Sequence, residues 1–143
     1  MVENKMGFES IPTGTEKVLV VDDEERSVSI MKVVLEKLGY NVTAMTSSIK
    51  ALELFKENPH RHDLLLTDLI MPQLTGDKLV SEVLKVRSDM PVIITSGFTD
   101  TIGNDIFKQT SNKAFIPKPF QPKELARTVR QVLDRTVSHK SEL

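Results

Sequence analysis

Three short apolar runs, each ending at a polar side chain, constrain the fold more than any other feature of this sequence. The runs cover residues 18–21, 64–66 and 91–95. Each is too short for a buried helix, and continuous apolar runs of this length are typical of strands buried on both faces. Such strands belong to parallel sheets that carry helices on both sides. The runs therefore predict the centre of a parallel α/β sheet.

Apolar residues at helical spacing follow the strands. We also predict a half-exposed strand over residues 41–45, where polar and apolar residues alternate, and a short strand over residues 114–116. Together these segments predict five strand–helix repeats. The predicted helices include residues 28–38, 49–55, 76–88 and 99–109, and a last helix that opens at Pro122 and frays from Arg135.

Strand character also predicts the order of the strands. The three wholly apolar strands belong in the centre, whereas the alternating second strand and the short fifth strand belong at the edges. With right-handed crossovers, the order 2-1-3-4-5 satisfies both conditions. This order places the carboxyl ends of the first and third strands side by side at a topological switch point, where ligands bind in sheets of this kind.

Composition limits the class of protein. The 143 residues suffice for one domain, which we place at residues 16–136, between a flexible lead at residues 1–15 and a tail at residues 137–143. Charged residues make up 27% with a net charge of −1, which argues against disorder and bulk nucleic-acid binding. Neither a membrane segment nor a leader is evident, and the absence of cysteine fits a cytoplasmic location. His60, His62 and His139 are not at metal-ligand spacing.

Polar residues collect at the carboxyl edge of the predicted sheet. Asp22 and Asp23 end the first strand, Asp68 ends the third, Ser96 ends the fourth and Lys118 follows the fifth. Clustered carboxylates repel one another unless a cation lies among them, and oxygen-only ligands favour Mg²⁺. A magnesium site beside a lysine and a hydroxyl suits a phosphoryl group. Asp68 is the candidate nucleophile, which would form an aspartyl phosphate.

These motifs resemble the receiver domain of two-component response regulators. The resemblance rests on residues 18–24, 68–72 with Gly76, 91–96 and 118–120, in the expected order and spacing. It implies a flavodoxin-like (βα)₅ fold with a doubly wound parallel sheet. It also implies that Asp68 accepts a phosphoryl group from the phosphohistidine of a sensor histidine kinase or a histidine phosphotransfer protein.

The resemblance further assigns roles at the site. Mg²⁺ would be held by the side chains of Asp22, Asp23 and Asp68 and by the backbone carbonyl of Ile70. Ser96 and Lys118 would bind the phosphoryl group in a domain that promotes its own phosphorylation and dephosphorylation. Ser96 and Phe115 would carry the conformational switch to an unknown downstream protein. The resemblance also implies a cis peptide between Lys118 and Pro119.

Several alternatives remain at this point. The chain is either a stand-alone regulator or a domain of a hybrid sensor kinase, since residues 11–16 resemble the join ahead of receiver domains in such kinases. We expect no direct DNA binding, because no output domain follows the last helix. A degenerate receiver would be a binding module without phosphorylation. A haloacid-dehalogenase-type phosphohydrolase would need its nucleophile on the first strand and a second aspartate where Ile70 stands.

Overall fold

The computed structural model describes residues 11–97 and 112–142. Within these ranges, five strands and four helices follow one another along the chain. The strands are β1 (Lys17–Val21), β2 (Asn41–Met45), β3 (Leu64–Asp68), β4 (Val92–Ser96) and β5 (Lys113–Pro117). The helices are α1 (Glu25–Lys37), α2 (Ser48–Glu57), α3 (Gly76–Val86) and α4 (Pro122–Glu142).

The strands form one parallel sheet in the order β2-β1-β3-β4-β5, as the sequence predicts. Every neighbouring pair is parallel, so all carboxyl ends lie along one edge. The register aligns Val21 with Thr67 and Asp68 with Thr95. The polar residues that end β3 and β4 and those that follow β1 and β5 are therefore neighbours at one edge of the sheet.

Two apolar layers cover the sheet, one on each face. Alternate residues of the central strands enter opposite layers, as Val20 and Leu19 of β1 illustrate. Helices α1 and α4 bury Met31, Leu35 and Val129 in one layer, with other apolar residues of the same helices. Helices α2 and α3 supply the opposite layer. Both faces are thus removed from water, which explains why β1, β3 and β4 carry uninterrupted apolar runs.

The helix boundaries agree closely with the predicted ones. Gly39, with φ of 105°, follows α1, and the side chain of Ser47 caps α2 by accepting from the amide of Lys50. Helix α4 continues to Glu142, beyond Arg135, where the sequence predicts fraying. Residues 123–142 contain neither proline nor glycine, so no residue in that stretch is a strong helix breaker.

The apolar residues that mark α2 in the sequence do not all lie on its buried face. Ile49 of α2 is exposed, whereas Ser48, Ala51 and Phe55 are the buried residues of that helix. These three positions, spaced three and four residues apart, define one helical face, and Ile49 lies about 100° around the helix from Ser48. The helix therefore buries a small polar residue in place of the isoleucine.

Some predictions lie outside the described residues. The helix expected at residues 99–109 is among them, as is most of the predicted lead at residues 1–15. Residues 12–15 contain neither helix nor strand. Among the described helices, none combines the length and apolarity needed to cross a membrane.

Candidate functional site

The first part of the site lies where β1 ends. Asp22 is almost completely buried, and its amide donates a hydrogen bond to the carbonyl of Met45 at 3.1 Å. Its Oδ1 accepts a hydrogen bond from the amide of Glu24 at 3.0 Å, which fixes the carboxylate. Asp23 follows on the exposed side. One carboxylate is therefore held inside the edge of the sheet, and its neighbour faces solvent.

The second part of the site is the carboxyl end of β3. Asp68 is largely buried, and the chain after it turns back, so that the amide of Gly76 donates to the carbonyl of Leu69 at 2.7 Å. A Cβ at position 76 would overlap the backbone carbonyl oxygen of Asp68. Glycine is thus required at position 76 because the start of α3 passes directly against the backbone of Asp68.

Lys118 joins these two strand ends. Its Nζ lies 2.7 Å from Oδ2 of Asp22 and 3.3 Å from Oδ1 of Asp68. The backbone amide of Lys118 donates to the carbonyl of Ser96 at 2.7 Å, which ties β5 to β4 beside the site. The peptide between Lys118 and Pro119 is cis, as the resemblance implies. A lysine 50 residues away in sequence from Asp68 is thereby brought into contact with it.

Carboxylates outnumber the cationic side chains at this edge of the sheet. The carboxylates of Asp22, Asp23 and Asp68 offer oxygens that all lie within 4.8 Å of one another. Burial raises the pKa of Asp68, the charge of Asp22 raises it further, and Lys118 opposes both effects. Although burial lowers the pKa of Lys118, the hydrogen bond to Asp22 and the charge of Asp68 outweigh it and raise that pKa.

These residues fit a hard divalent cation. The donor set contains carboxylate oxygens without sulfur or imidazole, which is the set that Mg²⁺ prefers. Three carboxylates face a single lysine, so an added cation would offset their mutual repulsion. Ile70 lies two residues after Asp68 and is 53% exposed. Coordination by the Ile70 carbonyl remains a prediction.

Of the remaining residues that the sequence singles out, Ser96 lies beside this cluster, whereas Phe115 and His62 pack elsewhere in the fold. Ser96 ends β4 and is fully buried beside Lys118. Phe115 in β5 pairs with Ile94 and packs, partly buried, against the layer under α2 and α3. His62 is instead a packing residue, because it is buried and its Nε2 lies 3.0 Å from the hydroxyl oxygen of Thr43. The polar residues predicted to share one edge are indeed brought together there.

An apolar groove borders the cluster, and the sequence reading missed it. Its volume is about 480 Å³. Ile30, 55% exposed on α1, is the feature in the sequence that could have indicated it, because it falls outside the buried face of that helix. The groove is lined by Ser27, Ile30, Met31, Gly97, Lys118, Pro119 and Phe120. Lys118 thus belongs both to the charged cluster and to the groove.

The position of Asp68 also separates two classes of phosphoryl-transfer protein. Asp68 ends β3, the central strand, and not β1. The residue two positions later is Ile70, where a haloacid-dehalogenase-type enzyme would carry its second aspartate. The arrangement therefore does not match that alternative.

The chain is similar in sequence to known proteins. A sequence model for the response regulator receiver domain matches residues 18–130. Sensor kinase CckA of Brucella abortus is 31% identical over 123 residues, which are 86% of this chain and 13% of that protein. The probable transcriptional regulator ycf27 of Porphyridium aerugineum is 36% identical over 121 residues, which are 84% of this chain and 49% of that protein.

A solved structure agrees with these sequence matches. A response regulator receiver domain protein from Clostridium thermocellum has a TM-score of 0.77 and 30% identity to this chain. The match covers 87% of this chain and 98% of that one. The chain thus spans half or less of the two curated relatives but nearly all of this solved domain.

Proposed function

The chain belongs to the response regulator receiver domain family of two-component systems, and we propose that it acts there as a Mg²⁺-dependent phosphoacceptor. The observation that carries the proposal is the contact of Lys118 with both Asp22 and Asp68 at the edge where Asp23 also lies. This arrangement combines a nucleophile, a lysine and ligands for a hard cation. A degenerate receiver would lack the acceptor or the lysine, and this chain has both.

The proposed reaction transfers a phosphoryl group from a phosphohistidine. A carboxylate oxygen of Asp68 attacks phosphorus, an O–P bond forms, and the N–P bond breaks. The electron pair of that bond stays on the imidazole nitrogen of the donor. Bound Mg²⁺ would supply positive charge for the phosphoryl oxygens. Asp22, Asp23, Asp68 and the carbonyl of Ile70 would hold it.

Other residues of the chain would bind and report the phosphoryl group. Lys118 already approaches Asp68 at 3.3 Å, so its ammonium is placed to pair with a phosphoryl oxygen. The hydroxyl of Ser96 would donate a hydrogen bond to another oxygen. Ser96 and Phe115 lie on the neighbouring strands β4 and β5, so a shift at Ser96 would reach the aromatic ring of Phe115. The downstream target would bind the surface that this shift alters.

The groove beside Lys118 suggests where the donor protein binds. A donor histidine must approach Asp68, and an apolar surface next to the site would accept the helix that carries it. The proposed donor is a sensor histidine kinase or a histidine phosphotransfer protein, in the cytoplasm. We propose no nucleic-acid partner, since the net charge is −1.

The first experiment measures intact mass after incubation with Mg²⁺ and acetyl phosphate. We expect a gain of one phosphoryl group in the wild type and in Asp77→Ala, a control that alters an exposed aspartate of α3. We expect no gain in Asp68→Ala or without Mg²⁺. A gain in Asp68→Ala would refute the assignment of the acceptor. Absence of a gain in every sample would favour the binding-module alternative.

A second experiment separates chemistry from docking. Ile30→Asp adds charge to the groove without altering the carboxylate cluster. We expect transfer from a phosphorylated histidine phosphotransfer protein to fall at least about tenfold, while labelling by acetyl phosphate stays unchanged. Ile49→Asp, a matched change of an exposed isoleucine on α2, should leave both reactions unchanged. Equal losses in the two variants would argue against the groove as the docking surface.

A further inference from the structure

The segment before β1 is bonded to the edge of the sheet opposite Asp68. The amide of Gly14 donates to the carbonyl of Leu38 at 3.1 Å, and the carbonyl of Glu16 accepts from the amide of Asn41 at 3.0 Å. Residues 13–16, which we call the entry strap, therefore run beside the turn between α1 and β2. These two backbone hydrogen bonds hold the strap from one side.

Arg130 of α4 holds the entry strap from the other side. Its Nη1 and Nη2 donate to the two carboxylate oxygens of Glu16 at 3.0 and 2.7 Å, which is the bidentate geometry of a strong ion pair. Nη1 also donates to the carbonyl of Thr13 and to the hydroxyl oxygen of Tyr40, both at 3.2 Å. Nε and Nη2 donate to Asp134, one turn along α4. The guanidinium therefore contacts the strap at two residues while α4 itself orients it.

The glycine at position 14 leaves room for the side chains that contact the strap. A Cβ at Gly14 would overlap both Nη1 of Arg130 and the ring of Tyr40. Glycine thus lets the strap pass between these two side chains. The hydrogen bond to Arg130 lowers the pKa of Glu16, in keeping with a charged and occupied pair.

We propose that Arg130 is a positioning residue, which locks the entry strap to α4. The polypeptide ahead of residue 13 would then leave the domain in one fixed direction, from the edge opposite the phosphoacceptor. The strap would join two parts of the chain that are more than 110 residues apart, so a displacement of α4 would be transmitted to whatever precedes the domain. Residues 13–15, which the sequence predicts to be part of a flexible lead, would then belong to the folded domain.

Amide hydrogen exchange tests the lock directly. We expect the Gly14 amide to be protected in the wild type and to exchange at least about tenfold faster in Arg130→Gln, as for the loss of a charge-assisted contact. The control, Arg127→Gln, alters an exposed arginine of the same helix and should leave Gly14 unchanged. The amide of Leu65, bonded to Pro91 in the sheet, should stay protected in both variants.

The outcome that overturns the proposal is a Gly14 amide that exchanges like an unstructured peptide in the wild type. Unchanged exchange in Arg130→Gln, with Leu65 still protected, would also overturn it. If Arg130→Gln fails to fold, Glu16→Gln removes the same ion pair by changing its acidic partner. Faster exchange of the Gly14 amide in that variant would support the proposal, and unchanged exchange would overturn it. The double variant should exchange little faster than either single variant, because both lose one shared pair.

A distance measurement tests the fixed direction separately. The chain has no cysteine, so the double variant Pro12→Cys/Gln131→Cys carries spin labels at these two positions and nowhere else. We expect a narrow distribution of distances between the labels, and a broad one when Arg130→Gln is added. A broad distribution without Arg130→Gln would show that the strap does not fix the direction, whatever its effect on stability.

Discussion

Two ionic clusters lie at opposite edges of the sheet and differ in how their charges are balanced. The acceptor cluster, at the carboxyl edge, sets Asp22, Asp23 and Asp68 against Lys118. The base cluster, at the other edge, comprises Glu16, Tyr40, Arg130 and Asp134. In the base cluster, all three guanidinium nitrogens donate to oxygens of the chain itself.

The two clusters therefore use the same residue types in different electrostatic arrangements. Charges of the base cluster are paired within the fold, so the cluster holds elements together. The acceptor cluster instead crowds carboxylates around one lysine, which raises the pKa of Asp68 through burial and the nearby Asp22. Crowding of this kind costs stability, and under the proposed function it would create affinity for a cation and a phosphoryl group.

Disrupting the base cluster should lower the free energy of unfolding and give the largest of four expected changes. Arg130→Gln removes a partly buried guanidinium with several hydrogen bonds and leaves Glu16 without its partner, so we expect the free energy of unfolding to fall by about 2 kcal/mol. Urea unfolding measures this change. Arg127→Gln, the matched exposed change, should alter the free energy by less than about 0.5 kcal/mol. A loss below that limit in Arg130→Gln would mean that the base cluster is not a stabilising contact.

Mg²⁺ should stabilise the protein through the acceptor cluster alone. At ten times its dissociation constant, a ligand that binds only the folded state adds about 1.4 kcal/mol to the free energy of unfolding. We expect this gain in the wild type and in Arg130→Gln, and a much smaller one in Asp68→Ala at the same concentration. The measurement is urea unfolding with and without Mg²⁺. An equal gain in Asp68→Ala would place the cation elsewhere.

Removing one negative charge from the acceptor cluster should stabilise the protein in the absence of Mg²⁺. Asp68→Asn removes one of the three crowded carboxylates, so we expect the free energy of unfolding to rise by about 0.5–1 kcal/mol. Asp77→Asn, which alters an exposed aspartate in the first turn of α3, should lower it slightly. Thermal or urea unfolding in a chelator distinguishes the two signs. A loss of stability in Asp68→Asn would show that Lys118 balances the cluster fully.

Acid pH should reduce both the stability loss of Glu16→Gln and the stability gain of Asp68→Asn, because the pKa values of the two carboxyl groups are shifted in opposite directions. The pKa of Glu16 is lowered by Arg130, so its stabilising charge is present above its ordinary value of 4.5 and is lost as the pH falls below it. The pKa of Asp68 is raised, so its protonation on acidification favours the folded state. Compared with wild type at pH 7 and pH 4, the deficit of Glu16→Gln and the gain of Asp68→Asn should both become smaller. A gain that grows towards pH 4 would contradict this reading.

Sequence predicted the acceptor cluster because strand order and strand ends determine it. Once the apolar runs at residues 18–21 and 64–66 are neighbouring parallel strands, Asp22 and Asp68 must meet at one edge. The polar residue that ends each run marks the edge directly. The same reasoning placed Ser96 and Lys118, and the structure brings them to that edge.

The base cluster left no comparable signal in the sequence. Arg130 lies on a helix whose other arginines, Arg127 and Arg135, are exposed, and Glu16 is 114 residues away. No periodicity connects them, because their contact depends on how α4 lies across the turn after α1. The exposure of Ile49 has a related cause, since spacing alone does not tell which of two adjacent faces a short helix will bury. Tertiary packing decides both cases.

The parallel sheet also has a practical consequence for handling the protein. Strands of five residues span roughly 17 Å, so the start of β1 and the aspartates are on opposite sides of the domain. A sensor surface attached at residue 12 would therefore leave the edge with Asp68 facing outward. Immobilised through this end, the domain should still be accessible to a donor protein. Attachment at Ile30 would instead cover the groove beside Lys118.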